Sequence, residues 1–107
     1  MKKIPFLIGK PRNHPTQLAN ALVALFEQHR EVHMAYLAQI FDIATGNLPH
    51  ITIGIIMDKP INIMANDLQK IIKIQCSELE FVDFIRIEAP DMHEAFSSLE
   101  PFYVSQT

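Results

Sequence analysis

The feature that most constrains this fold is an apolar stripe that runs from Thr16 to Ile43. In its first half, leucines and a phenylalanine recur at helical spacing, with polar residues at the positions between them. Pro15 suits the first position of such a helix, because proline lacks the N–H group that would be unpaired there. The stripe therefore predicts an amphipathic helix from Thr16 to about His29.

The second half of the stripe allows two interpretations. Val32, Tyr36 and Ile40 continue the helical spacing, which would extend the helix to about 28 residues. Helical patterns of that length usually belong to coiled coils or repeats, and this sequence shows neither. Alternatively, the chain turns at "HRE", and residues 32–43 form a strand with apolar side chains on both faces. The residue pattern alone does not decide between the two.

Other segments have clearer boundaries. Gly46 and Pro49 mark a turn, and the β-branched run "HITIGIIM" that follows predicts a strand. By the same rules, helices are predicted over residues 62–76 and from residue 90, and further strands over 4–8 and 80–87.

With a strand at 32–43, the element order is β-α-β-β-α-β followed by a short C-terminal helix. This order predicts one α+β domain over residues 1–107, with the ferredoxin-like split βαβ arrangement. Two helices would cover one face of a four-stranded antiparallel sheet and leave the other, apolar face open. Open apolar faces usually belong to interfaces, so we expect a homodimer packed sheet to sheet, or a tail folded over the sheet.

Composition narrows the classes of function. The chain has 107 residues, of which 49% are hydrophobic and 20% charged, as in ordinary globular domains. Its single cysteine, Cys76, excludes an internal disulfide and a cysteine-based zinc site. The net charge of −3 disfavours nucleic acid and anionic lipid as partners, and no apolar run is long enough to span a membrane. We expect a cytoplasmic domain without cofactors.

The stretch "HREVH", residues 29–33, resembles a zinc-peptidase helix because its two histidines are four positions apart. In that motif a glutamate directly follows the first histidine, whereas here Arg30 holds the position and no third ligand is spaced nearby. His29 suits a helix C-terminus, and His33 would point out from a strand edge. We interpret the motif as the boundary between a helix and a strand, and predict no metal site.

The loop "GKPRNH" is a candidate anion site. Lys10, Arg12 and His14 come just before a helix N-terminus, where free N–H groups and the helix dipole favour an anion. A small anion or an amino acid is the ligand that such a loop predicts. The alternative interpretation is a solvated loop, stiffened by proline, that binds no ligand.

Aromatic residues provide a third candidate site. Tyr36, Phe102 and Tyr103 would suit partner binding on the open sheet face, since aromatic residues are enriched at interfaces. The alternative is that they complete a core. The glycines and serines match no nucleotide-binding loop and no nucleophile elbow, so no catalytic residues are predicted.

Four segments resemble the C-terminal domain of the SseB family, named for enhanced serine sensitivity. They are "HPTQLANALVALFEQHREVHMAYLAQI", "LPHITIGI", "EFVDFIRI" and "EPFYV", which together cover roughly residues 9–104. The resemblance implies that residues 32–43 form a strand and that the domain has no established catalytic residues. Typical members carry another domain before this one, and a function that needs both halves is not predicted for this chain.

The sequence thus predicts a non-enzymatic interaction or regulatory module of the SseB C-terminal type, which self-associates and binds a protein partner. The alternative is a domain that binds a small anion or an amino acid at the loop before the first helix.

Overall fold

The structure is a computed structural model, and it describes residues 6–43, 46, 49–76 and 82–105. The strand interpretation of residues 32–43 is confirmed, and no helix in these ranges is long and apolar enough to cross a lipid bilayer. The elements are β1 (Phe6–Gly9), α1 (Thr16–Glu27), β2 (Val32–Asp42), β3 (His50–Met57), a 3-10 turn (Ile61–Ile63), α2 (Ala65–Gln75), β4 (Val82–Arg86), α3 (Pro90–Ser97) and β5 (Tyr103–Val104).

The strands form one sheet in the order β1-β2-β3-β4, and β5 also pairs with β2. β2 is antiparallel to β1, β3 and β5, whereas β3 and β4 run parallel, with α2 in the crossover that a parallel pair requires. β1 lies opposite residues 39–42 of β2, and β5 lies opposite residues 34–35. These two short strands therefore share the edge of β2 that β3 leaves free. Residues 4, 5, 80 and 81 of the predicted strands lie outside the described ranges.

The α+β class is confirmed, but the sheet does not have the ferredoxin-like order. In a split βαβ unit, a further strand separates the two strands that flank a helix. Here β1 and β2 flank α1 and pair directly, with Leu7 opposite Phe41. Likewise β3 and β4 flank α2 and pair directly, with Ile53 opposite Phe84. Hydrophobic periodicity identifies elements, but it does not show which edges pair, because pairing depends on contacts distant in sequence.

The larger core lies between the sheet and the helices α1 and α2. Leu22 and Phe26 of α1 are fully buried in it. Val32 also belongs to this core, although strict alternation along β2 predicts that it shares the opposite face with Tyr36. The reason is a shift in register between Val32 and Met34, since a slip of one residue moves a side chain to the other face.

The opposite face of the sheet is covered by α3. Phe96 is 1% exposed, and its ring lies over Gly54 of β3, where an added Cβ atom would come within 2.6 Å of Phe96 Cε1. The Phe96 ring centroid is 5.8 Å from that of Tyr36, which is paired with Gly54 across β2 and β3. Met92 and Leu99 extend this second core. The face that the sequence predicts to be open is therefore covered by the chain's own third helix.

Enlarging Gly54 should displace α3 from the sheet. We expect Gly54→Ala to lower the free energy of unfolding by about 1–3 kcal/mol, because overpacking of a filled core costs that much. Gly9→Ala is the matched control, since a Cβ atom at Gly9 meets nothing within 4 Å. Urea unfolding measures both variants, and binding of a hydrophobic dye reports exposure of the sheet. A Gly54→Ala protein as stable as the parent would contradict the close fit of Phe96.

Candidate functional site

A groove lies between the C-terminal half of α1 and the segment that contains β5. Its volume is about 470 Å³, which is within the range of ordinary ligand sites. Val23 and Phe26 line it from α1, and Phe102 and Tyr103 line it from the C-terminal segment. Because Phe102 and Tyr103 are only partly buried, the groove presents aromatic surface to solvent.

The aromatic floor of the groove is held in place by contacts with α1. The hydroxyl group of Tyr103 donates a hydrogen bond to the carbonyl oxygen of Phe26 at 3.4 Å. The ring centroid of Phe26 is 5.5 Å from that of Tyr103 and 6.1 Å from that of Phe102, both in tilted arrangements. Aromatic pairs at such distances and angles add stability beyond the area that they bury.

Backbone hydrogen bonds fix the other side of the groove. The N–H group of Phe102 donates to the carbonyl oxygen of Ala35 at 2.9 Å, and the N–H group of Ser105 donates to that of His33 at 2.8 Å. These bonds attach the C-terminal segment to the start of β2, directly after the turn that follows α1. The groove thus depends on a tail that the sequence alone assigns to no element.

The rim of the groove carries opposite charges. Glu27, at the end of α1, and Arg30, in the turn after it, are both exposed. Among the described residues neither forms an ion pair, although they are three positions apart. Both charges are therefore available to a ligand in the groove.

The two histidines of "HREVH" face different carboxylates. His29 Nδ1 lies 2.9 Å from Glu31 Oε1, and His33 Nε2 lies 2.8 Å from Asp58 Oδ2. Helix α1 ends at Glu27, so the four-residue spacing is not a helical spacing that would bring both imidazoles together. Within the described ranges, no group of three or more histidine, cysteine, aspartate or glutamate side chains could hold a metal ion.

The predicted anion loop lies at the other end of α1. Lys10, Arg12 and His14 are all exposed, and no side chain of the described residues caps the N-terminus of the helix. The N–H group of Arg12 donates to Gln39 Oε1 at 2.8 Å, which attaches the loop to β2. At about 1.5 Å per residue, the length of α1 separates this loop from the groove. The two candidate sites are therefore independent.

The three predicted partner-binding aromatics do not share a surface. Tyr36 is 7% exposed and lies beneath α3. Tyr103 pairs with Ala35, the neighbour of Tyr36 on β2, and side chains alternate between the faces of a strand. Phe102 and Tyr103 therefore pack on the α1 side of the sheet, while Tyr36 belongs to the other face.

Sequence reasoning missed Glu27, Arg30 and Val104 as residues of the groove. The positions of the first two depend on where α1 stops, and periodicity sets helix ends poorly. Val104 belongs to a strand of two residues, which is too short for an alternating pattern. The available signal was the aromatic pair Phe102 and Tyr103, since aromatic residues are depleted in segments that stay disordered.

The His29 side chain should control the ionisation of Glu31. Its hydrogen bond lowers the pKa of the Glu31 carboxyl from the ordinary value, and the N–H group of Glu31 itself adds to the effect. In His29→Ala we expect that pKa to rise, as measured by NMR titration of the Glu31 side chain. His33→Ala is the control, because His33 contacts Asp58 instead.

The lowered pKa of Glu31 also makes the stability of the fold depend on pH. Because folding favours the ionised carboxylate, this group stabilises the fold above the ordinary glutamate pKa, and the contribution disappears as the pH falls through the lowered value. Urea unfolding across this acidic range should show that, as the pH falls, the free energy of unfolding decreases less for His29→Ala than for the parent. An unchanged Glu31 titration in His29→Ala would refute the assignment.

Comparison with known proteins identifies the family. The family model described as the SseB protein C-terminal domain matches residues 2–104, which is nearly the whole chain. No curated protein and no solved structure gave a match. The resemblance seen in the sequence is confirmed, and the chain belongs to the family of SseB protein C-terminal domains.

Proposed function

We propose that this domain is a non-enzymatic protein-interaction module whose partner binds in the groove between α1 and β5. The observation that carries the proposal is the aromatic floor of Phe102 and Tyr103, which is partly exposed beneath a charged rim. Protein interfaces combine aromatic anchors with a polar border in this way. Membership of the SseB family supports a domain of the SseB C-terminal type.

A groove partner agrees better with the packing than an association through the sheet face. Tyr36 is buried beneath α3, so two sheets could meet only if Phe96 first left its position over Gly54. Removing a buried phenylalanine from a core costs roughly 3–5 kcal/mol, which an interface on that face would have to offset. The groove has no such cost, because it is already open.

Site-specific photo-crosslinking tests the proposal. We expect a photoreactive phenylalanine derivative in place of Val104 to give discrete crosslinked species in extracts of cells that produce the protein. The control is the same substitution at Ile74, which is 76% exposed on α2, against 49% for Val104. Crosslinks from position 74 that equal those from position 104 would show general adhesion and refute the groove.

Light scattering coupled to size exclusion separates a foreign partner from a second copy. If crosslinks at position 104 come from the chain itself, the purified protein should gain mass with concentration, and the module would be self-associating. If the mass stays that of a monomer while crosslinks form, the partner is another protein. A gain in mass only in Phe96→Ala would assign self-association to the sheet face after release of α3.

We propose anion binding at the first loop as a second candidate function. It is supported by three exposed side chains, Lys10, Arg12 and His14, placed before a helix N-terminus that has no side-chain cap within the part of the chain that the structure describes. Phosphate or a free amino acid is the chemistry that fits this loop. Glu27 and Arg30, at the other end of α1, do not take part in it.

Thermal unfolding in the presence of phosphate tests the second candidate. A ligand that binds the folded state raises the melting temperature by mass action, so phosphate should stabilise the parent. Arg12→Ala should lose most of that increase, while Arg30→Ala should keep it. An equal increase in the parent and in Arg12→Ala would assign it to general salt effects.

A further inference from the structure

The groove has an edge strand as one wall. The N–H group of Ser105 points to β2, where it donates to the carbonyl oxygen of His33 at 2.8 Å. Successive N–H groups of a strand point to opposite sides, so that of Val104, a residue that lines the groove, points away from β2. Val104 is also 49% exposed. This edge of β5 therefore offers a backbone donor beside an aromatic floor.

The outer edge of β4 is closed by comparison. The N–H group of Ile87 donates to the carbonyl oxygen of Ile55, so by alternation that of Phe84 points away from β3. The carboxylate of Asp83 accepts a hydrogen bond from this Phe84 N–H group at 2.8 Å. A charged side chain that satisfies an edge donor blocks the addition of a further strand. Of these two edges, that of β5 is the one open to pairing.

The charges define which end of the groove attracts an acid. β5 is antiparallel to β2, so Ser105 lies beside His33, near the turn that carries Arg30. At the same end, His29 contacts Glu31. Glu27, the last residue of α1, comes three positions before Arg30. An acidic group is thus favoured by Arg30 at the Ser105 end and disfavoured by Glu27 farther along.

We propose that the partner is an extended peptide segment that adds to β5 as a further strand. Its backbone pairs with the N–H group of Val104, and an apolar side chain packs on Phe102 and Tyr103. An acidic residue two positions along the strand, on the same face as that apolar side chain, meets Arg30. Recognition by strand addition takes affinity from backbone hydrogen bonds and specificity from alternate side chains. The inference rests on the proposed function, since it names the chemistry of the partner at the same groove.

Amide hydrogen exchange tests the strand edge without any substitution. In the free protein we expect the Val104 amide to exchange faster than the Ser105 amide, because by strand alternation only the latter points to β2, where it donates to His33. The probe is the peptide acetyl-Thr-Val-Thr-Phe-Thr-Glu-Thr-amide, whose phenylalanine and glutamate share one face when it is extended, and its binding should slow exchange at Val104. A Val104 amide already protected in the free protein would refute the open edge.

Charge reversal tests the assignment of Arg30. By NMR titration, we expect the parent to bind the glutamate peptide roughly tenfold more tightly than the same peptide with lysine in place of glutamate, which corresponds to one charge-assisted contact. Arg30→Glu should reverse this preference. Arg12→Glu is the matched control, because Arg12 is an exposed arginine at the other end of α1. The same reversal in Arg12→Glu would reduce the preference to overall charge and refute the inference.

Removal of one backbone donor tests the pairing itself. Val104→Pro deletes the outward N–H group and leaves the Ser105 bond to His33, and proline is tolerated on edge strands where the N–H group faces solvent. Both peptides should then lose binding. Retained binding, or peptide-induced shifts confined to the sheet face or the first loop, would overturn strand addition.

The outcomes also separate this inference from the proposed function. Crosslinks at position 104 without any strand-edge protection by the peptide would leave the interaction module in place and refute the extended peptide. Peptide binding at β5 without cellular crosslinks would refute the interaction module but support strand addition at the groove. Protection of Val104 that rises with protein concentration alone would identify a second copy as the occupant, and the peptide inference would fall.

Discussion

Backbone hydrogen bonds along β2 position most of the other elements, because this strand pairs with three others. β3 occupies one edge, and β1 and β5 divide the other edge between them. Pairing with β3 brings the helices α1 and α2 onto one side of the sheet. Pairing with β5 brings the C-terminal aromatics against the end of α1. A change that shifts the register of β2 would therefore disturb both cores and the groove together.

The two faces of the sheet are covered in different ways. α1 and α2 supply a continuous row of large side chains, among them Leu22, Phe26 and Leu68. α3 is a helix of 8 residues, and one ring, that of Phe96, makes its closest contact over Gly54. The packing of the core under α1 and α2 is thus spread over many side chains, whereas the α3 contact depends on one pair of residues whose sizes must match.

The sequence predicts individual elements well where the pattern is local. The bounds of β3 coincide with "HITIGIIM", and α1 begins at Thr16 as predicted, although Pro15 is its N-cap residue and not its first helical residue. The partners of those elements are not predicted, because Phe96 meets Gly54, and β5 meets β2, only after long stretches of chain have folded between them. Likewise, the irregularity between Val32 and Met34 changes the face of a side chain without any composition signal.

The same limit applies to the candidate sites. Lys10, Arg12 and His14 are exposed as expected for a loop, since local composition determines that property. Tyr36 and Tyr103 are both predicted to bind a partner. They lie on opposite faces of the sheet, because each follows the alternation of its own strand. Charges such as Arg30 become relevant only when a distant tail forms the opposite wall.

Because β5 is a strand of only two residues, the groove depends on the local stability of this strand. The strand is held by its two-residue pairing with β2, by the bonds of the flanking Phe102 and Ser105 to Ala35 and His33, and by the packing of Tyr103 on Phe26. Short segments with few contacts open at a much lower free energy than the whole domain unfolds. The observed affinity of any occupant is then reduced by the fraction of molecules in which β5 is detached. Residues that only fasten this strand would change binding without contacting the ligand, while global unfolding measurements would register little difference.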